Sequence, residues 1–231
     1  MNSFNEMQKE NYNFEDLKYI IKLLRSEDGC PWDREQTHES IRNNFIEEVY
    51  EAIEAIDTGD ASLLKEELGD VLVQVAMHAS ISEDAGGFDI DEVCDGICKK
   101  LILRHPHVFS FSDSEAHETA GTSEQVLANW ENIKIKEKGF ADAREYIEST
   151  ANSLPALMRA EKIYSRSKKR EVITPFDVGG KLEELAESIK NLDNTNEIGR
   201  ILFDIAAISS ELGISPEQAL YNYIKKFAEK F

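Results

Sequence analysis

The strongest constraint on this chain is a run of acidic residues, spaced three apart, set into a helical apolar rhythm between residues 41 and 79. Glu47, Glu48 and Glu51 come first, then Glu67 and Asp70. Ile41, Phe45, Val49, Ala52 and Ile56 recur every three or four residues, as the buried face of a helix does. The rhythm breaks at Thr58-Gly59-Asp60 and restarts with Leu64, Leu68, Val71, Leu72, Val75 and Ala79. Two amphipathic helices joined by so short a Gly-containing turn must run antiparallel. Residues three apart lie about 60° apart around a helix axis, so Glu48 with Glu51 and Glu67 with Asp70 form two acidic pairs. Glu48 and Glu67 border the apolar stripe, which lets the two pairs face each other at the edge of a shared core. Carboxylates gathered in this way repel one another unless a cation lies between them. Mg²⁺ takes hard oxygen ligands and keeps room in its shell for waters and substrate phosphates. The pattern therefore predicts a Mg²⁺ site for a phosphorylated substrate, with Mn²⁺ as a substitute ion. The competing reading is a solvated acidic face, which 45 acidic residues in 231 readily produce. Gly69, between Glu67 and Asp70, would let backbone or ligand come close.

Charge narrows the partners. A formal net charge of −19 and a pI near 4.7 argue against a nucleic-acid partner. A nucleotide site in such a chain needs metal or local basic residues to offset the surface field. Cys30, Cys94 and Cys98 are too few and too irregular for a disulfide framework or a zinc site. They point to a reducing, cytoplasmic setting. The first thirteen residues lack a signal-peptide core, and no apolar run is long enough to span a membrane.

Along the rest of the chain, Phe14 to Leu24 read as a helix capped by Asn13, broken at Gly29-Cys30-Pro31-Trp32-Asp33. Glu35-x-x-His38 occurs once, whereas a di-iron bundle needs that element twice. Asp89 or Asp91 caps a helix with Val93, Cys94, Ile97 and Leu101 on its inner face, ended by Pro106. On that helix Lys100 and Arg104, four apart, form either a solvated basic face or a pair of phosphate-holding cations. His105 and His107 read as structural. Residues 110–122 read as a mobile loop. Thr122 and Gln125 suggest a capping box for a helix to about Lys138, closed by Gly139. On it Trp130 and Lys134 share a face, as a core anchor and its neighbour or as a base-stacking ring beside a phosphate contact. A charged connector and a helix from Pro155 to about Lys169 follow.

The remainder repeats the first half in shortened form. Pro175-Phe176-Asp177 echoes Pro31-Trp32-Asp33, and residues 182–187 (Leu-Glu-Glu-Leu-Ala-Glu) echo residues 46–51 (Ile-Glu-Glu-Val-Tyr-Glu). Glu197-Ile198-Gly199-Arg200 echoes Glu67-Leu68-Gly69-Asp70, and Lys225-Lys226-Phe227 echoes Lys99-Lys100-Leu101. Arg200 occupies the position of Asp70 and puts a positive charge where a cation would bind. The second copy is thus expected to be a packing or dimerisation module and not a second metal site; the alternative is that Arg200 forms a salt bridge with Glu183 or Glu187.

Five segments taken together resemble the MazG family: Gly-Cys-Pro-Trp-Asp-x-x-Gln-Thr-His (29–38), Glu-Glu-x-x-Glu (47–51), Glu-Leu-Gly-Asp (67–70), Arg-His-Pro-His-Val-Phe (104–109) and Asn-Trp-Glu-x-x-Lys (129–134). A fainter likeness from Leu157-Met158-Arg159-Ala160 onward is similar to the second domain of two-domain members. The resemblance implies an all-α fold of two MazG-like helical modules, residues 1–140 catalytic and 141–231 degenerate, with a four-helix-bundle site completed on homodimerisation. It implies Mg²⁺-dependent cleavage of nucleoside triphosphates between the α and β phosphates, by in-line attack of water on the α-phosphorus. On this sequence the metal ligands fall on Glu48, Glu51, Glu67 and Asp70. Glu47, beside Glu48, would hold or activate the water. Lys100, Arg104, Trp130 and Lys134 match nucleotide-contacting positions. One departure stands out: in two-domain relatives the second domain is considered the active one, whereas here the intact acid set lies in the first. Two other functions compete with this one, a narrower dUTPase-like pyrophosphatase and a non-catalytic helical interaction protein.

Overall fold

A computed structural model of the chain describes residues 9–109, 122–174, 176–190 and 194–230. The expected loop at 110–122 lies outside them except for Thr122, as does Pro175 of the second echo. The described residues form helices and no strand, so the fold is all-α. The chain divides into two compact units, residues 1–119 and 120–231.

The first unit holds α1 (Phe14–Leu24), α2 (Pro31–Glu35), α3 (Arg42–Thr58), α4 (Ala61–Asp84), α5 (Ile90–Arg104) and α6 (Pro106–Phe109). Local chemistry sets the boundaries. Asn13 accepts from the Asp16 N–H at 3.1 Å while the Asp16 carboxylate accepts from the Asn13 N–H at 3.0 Å, a reciprocal box that starts α1. Gly59 ends α3 in the left-handed region, φ 70°, which a residue with a Cβ enters only with strain. Asp60 then caps α4 by accepting from the Ser62 and Leu63 N–H groups. Two residues thus reverse the chain and lay α3 antiparallel on α4. Ala52 and Ala55, both buried, let the two helices approach closely. On another side of α4, Ile21 of α1, Ile41, Ala76, Met77 and Ile81 form the core, with Leu17 and Val73 against it. Arg25, 8% exposed, ties the unit together: its guanidinium donates to the Asp84 carboxylate at 2.7 Å and to the Asp33 carbonyl at 2.6 Å.

Several positions on the expected inner faces lie open in this unit. Val49 and Ile56 of α3, Leu68 and Leu72 of α4, and Val93, Ile97 and Leu101 of α5 are all exposed. Periodicity found the helices correctly, but their apolar stripes are wider than the surface that the unit itself covers. The short helix α2, within the stretch read only as a break, also escaped the sequence pattern.

The second unit holds α7 (Ser123–Lys138), α8 (Ala143–Glu148), α9 (Ala156–Lys169), α10 (Val178–Lys190), α11 (Thr195–Glu211) and α12 (Pro216–Ala228). Helix α8 lies in the stretch read as a charged connector. Leu185, Ile201 and Ile208 make a core on which Phe176 and Val178 pack. Tyr146 is fully buried, with the Arg166 guanidinium stacked 4.6 Å above its ring and donating to its carbonyl at 2.7 Å. No helix of the described residues is long and apolar enough to cross a membrane.

Candidate metal centre

The antiparallel α3–α4 pair brings the acidic residues together. Glu48 on α3 and Glu67 and Asp70 on α4 each place one carboxylate oxygen within 4.8 Å of the others. Their surroundings differ: Glu67 is buried, Glu48 half-buried and Asp70 exposed, so the cluster opens from the helix seam to solvent. Burial raises the Glu48 carboxyl above the usual carboxylate range, and the nearby charges of Asp70, Glu51 and Glu47 add to it. Glu67 is raised in the same way, by burial first and then by Glu51 and Asp70. Glu51 therefore acts on both of the other helical acids, as its place one turn along α3 requires. Every charged neighbour that moves these two carboxyls is itself acidic. A raised carboxyl binds its proton more tightly in the folded chain than in the unfolded one. These two groups therefore cost stability as pH rises from the ordinary carboxylate range through their raised values. A divalent cation between them removes that cost. With oxygen donors alone, the set suits Mg²⁺ or Mn²⁺ and not a thiolate- or imidazole-seeking ion.

The remaining expected site residues take varied positions. Glu47 is exposed on α3 next to Glu48. On α5, Lys100 is half-buried and Arg104 only 7% exposed. Trp130 and Lys134 lie on α7 in the second compact unit, the Lys134 Nζ 5.2 Å from the centre of the Trp130 ring. A Cβ at Gly69 would meet nothing within 4 Å, so no group of the chain itself needs that glycine for close approach. His105 holds the Leu101 carbonyl at 2.7 Å through Nδ1 and so finishes α5, as a structural histidine would. All three cysteines are free.

Two polar groups further along α4 went unnoticed in the sequence. Gln74 lies one turn beyond Asp70, and its Oε1 is buried without a hydrogen-bond partner. His78, one turn further, meets His38 with their Nδ1 atoms 2.8 Å apart and their rings stacked. Phe45 lies 5.5 Å from the His78 ring. The 3-4-4 spacing of Glu67, Asp70, Gln74 and His78 was the signal, hidden because Gln is not an acid and His38 is far away in sequence.

In the second unit the corresponding place is occupied by cations of the chain. Arg200 donates to Asp204 at 3.1 Å and lies 3.7 Å from Glu184, and Lys181 reaches Asp204 at 3.3 Å. Arg200 thus pairs with Glu184 and Asp204, and it also donates to the Ser188 hydroxyl at 2.8 Å. Glu184 is exposed on α10 next to buried Leu185, and Asp204 is one turn along α11 on the same face as Arg200.

Comparison with known proteins shows the family. Residues 36–109 match the model of the MazG nucleotide pyrophosphohydrolase domain. The nucleoside triphosphate pyrophosphohydrolase/pyrophosphatase MazG of Thermotoga maritima is 38% identical over 97% of this chain and 86% of its own length. The nucleoside triphosphate pyrophosphohydrolase of Escherichia coli strain K12 is 36% identical over 93% of this chain and 84% of its own. The uncharacterized protein YabN of Bacillus subtilis is 38% identical over 95% of this chain but 46% of its own length.

Proposed function

Because this chain belongs to the MazG family, we propose that it is a Mg²⁺-dependent nucleoside triphosphate pyrophosphohydrolase whose working site is the acidic cluster of the first unit. The observation that carries this is the convergence of Glu48, Glu67 and Asp70 from two helices, with Glu67 buried and its carboxyl raised by burial and by the acids beside it. Glu48, Glu51, Glu67 and Asp70 would hold the metal. The chemistry a bound divalent ion supplies at such a place is neutralisation of phosphate charge and acidification of water. Glu47, exposed beside the cluster, accepts the proton of the attacking water. The water oxygen forms a bond to the α-phosphorus, the bond from that phosphorus to the bridging oxygen breaks, and pyrophosphate leaves with the bond's electron pair. Lys100 and Arg104 on α5 and Trp130 with Lys134 on α7 serve the nucleotide, the cations against phosphate and the indole against the base.

The reading divides the chain into a catalytic module, residues 1–140, and a degenerate one, 141–231. It places the protein in the cytoplasm as a homodimer. The open apolar side chains of α3, α4 and α5, among them Val49, Leu68, Leu72, Ile97 and Leu101, supply the surface that a second copy would cover in a four-helix bundle.

The test is to measure pyrophosphate and phosphate released from ATP and from dUTP with Mg²⁺, wild type beside Asp70→Ala. Pyrophosphate from the wild type and little from the variant is expected. Phosphate alone would mean cleavage at another bond and would overturn the assignment. Activity confined to dUTP would replace it by the narrower pyrophosphatase.

A further inference from the structure

His38 and His78 meet outside the metal centre, and the reading above uses neither. Their Nδ1 atoms are 2.8 Å apart, while the centres of their rings, within 10° of parallel, are 5.1 Å apart. The two nitrogens therefore lie between the ring centres and face each other, with room for one hydrogen between them. Two nitrogens bound to one tetrahedral ion such as zinc would lie about 3.3 Å apart, so the pair fits a shared hydrogen better than a metal.

The contact joins two elements that matter to the acids. His38 lies in the turn that leads into α3. Thr37 and Ser40 brace this turn: the Thr37 N–H donates to Ser40 Oγ at 2.9 Å, and the Ser40 N–H donates to Thr37 Oγ1 at 3.2 Å. The helix itself begins at Ile41 without a side-chain cap bond. That start is held on α4 by Ile41, 3% exposed in the core with Ala76 and Met77, and by His38 on His78. The His78 ring also lies 5.5 Å from that of Phe45, which is one turn before Glu48 on α3. Along α4, His78 lies two turns, about 12 Å, beyond Asp70. A contact here sets how α3 lies on α4, and with it the spacing of Glu48 and Glu51 from Glu67 and Asp70.

The same contact titrates. A hydrogen shared by two Nδ1 atoms needs a lone pair on one of them. When both rings are cationic, two N–H groups face each other and the contact breaks. Burial, and then the charge of His38, hold the His78 imidazole below the ordinary histidine range. The unfolded chain therefore takes that proton more readily than the folded one. The His78 contribution is present above the ordinary histidine range and is lost as pH falls through it to the lowered value. The charged group beside His38 on the turn is Glu39, whose carboxyl is held low by its own backbone N–H and the Thr37 hydroxyl, and less by His38. On α3 the neighbour of His78 is Phe45, and along α4 the residues one turn away are Gln74 and Ser82, all uncharged.

We propose that His38 and His78 are a positioning pair for the metal centre: the hydrogen between their Nδ1 atoms fixes the start of α3 on α4, and charging of both rings releases it, so that affinity for a divalent ion falls as the solution turns acidic. This rests on the metal-centre reading and adds its regulation.

The test measures the Kd for Mg²⁺ alone by calorimetry, at pH 8 and pH 5, in full-length wild type, His78→Leu and His78→Asn. Asparagine carries an amide at the height of Nδ1 that pairs with His38 in either protonation state and does not titrate. Protonation of the carboxylates weakens all three proteins at pH 5, so the readout is the ratio between proteins at each pH. At pH 8, His78→Leu should bind Mg²⁺ about fivefold more weakly than wild type, the scale of one hydrogen bond. His78→Asn should match wild type within about twofold. At pH 5 the wild type should fall to the level of His78→Leu, while His78→Asn keeps its advantage. If His78→Leu does not fold, His38→Leu at the exposed partner takes its place with the same expectation. Equal affinities of wild type and the leucine variant at pH 8 would overturn the proposal. A ratio unchanged between the two pH values, or no rescue by asparagine, would also overturn it and leave the pair a packing role. Pyrophosphate release from ATP, measured on the same wild type, keeps the two readings apart. The expected binding pattern without pyrophosphate release would refute the enzyme and leave the pair, whereas release without the pattern would refute the pair and leave the enzyme.

Discussion

The two helical hairpins of this protein answer the same electrostatic problem in opposite ways. In α3–α4, Glu48, Glu67 and Asp70 gather, and burial with neighbouring carboxylates pushes Glu48 and Glu67 toward protonation. In α10–α11, Glu184 and Asp204 gather at the matching place with Arg200 and Lys181 between them. Arg200 stands at the position of Asp70, and Asp204 at the position of Gln74. One hairpin leaves a charge deficit that a soluble cation can fill, and the other has filled it covalently. A guanidinium held by two carboxylates needs no ion and cannot leave to admit phosphate. Two helical hairpins with echoing sequences are thus read as a site in one unit and as a scaffold in the other, and Asp70 against Arg200 carries the difference in charge.

The largest effect should separate the two hairpins by activity. Asp70→Ala is expected to reduce pyrophosphate release by about 100-fold or more, since a metal ligand supports several kcal/mol of transition-state stabilisation and each tenfold is about 1.4 kcal/mol. Arg200→Ala should leave kcat/KM within about twofold. A comparable loss in both variants would end the distinction between site and scaffold, whatever its size.

Next comes the response to metal and pH. Mg²⁺ at about 100 times its Kd should stabilise the protein by about 2.7 kcal/mol, read as an upward shift in melting temperature. Asp70→Ala should abolish that shift. Without Mg²⁺, Glu48 and Glu67 have raised carboxyls, so their contribution becomes less favourable as pH rises above the ordinary carboxylate range. Glu211 in the second unit has the opposite sign. Lys168 and the Tyr164 hydroxyl hold its carboxyl below the usual range, so its contribution is present at neutral pH and fades as pH falls. Melting curves of Glu67→Gln and Glu211→Gln across pH 4–8 should therefore both part from wild type toward neutral pH but in opposite directions, Glu67→Gln above it and Glu211→Gln below it. Parallel curves would show that the acids of the two units are equally neutralised.

A third contrast concerns removal of one acid from each hairpin. Asp204 is 8% exposed and paired with both Arg200 and Lys181. Asp204→Ala should destabilise by about 2 kcal/mol, because partly buried cations lose their partner. Asp70→Ala in metal-free protein should destabilise less, or stabilise, since it relieves repulsion. Chemical denaturation in EDTA ranks the two, and the reverse order would sink the comparison.

Much of this was legible in the sequence because it is local. Asn13, Asp89 and Thr122 accept from the backbone amides three residues on, Asn13 and Thr122 as the sequence expected and Asp89 as one of the two caps it offered. The acid spacings fixed the faces of α3 and α4, and the echoes placed α10 and α11. What failed was non-local. Val49, Leu72 and Ile97 read as core because period cannot tell a face buried within one unit from one left open. The His38–His78 contact joins residues forty apart. Arg200 meets Glu184, where the sequence offered Glu183 or Glu187, because neighbouring glutamates differ only in the direction they point. That direction is set by the packing of Leu185, which the sequence does not display.

The smallest and most discriminating change touches two glycines. Gly69 and Gly199 occupy equivalent positions, each just before the residue that distinguishes the hairpins, and at both a Cβ would meet nothing within 4 Å. Both are inside α-helices, where glycine costs about 0.5–1 kcal/mol relative to alanine. Gly199→Ala should therefore stabilise by about that amount, with activity unchanged. Gly69→Ala should give the same gain in the metal-free protein, since nothing in the chain opposes the methyl group. Its effect on catalysis depends on what approaches the helix beside Asp70 in the working state. If nucleotide or a second copy of the chain comes within van der Waals reach, kcat/KM falls while stability rises. If the space stays empty, both glycines behave alike. Denaturation midpoints and pyrophosphate release measured on the same two proteins separate these outcomes. A stability gain at Gly199 alone would mean that an unseen neighbour already crowds Gly69 before substrate arrives.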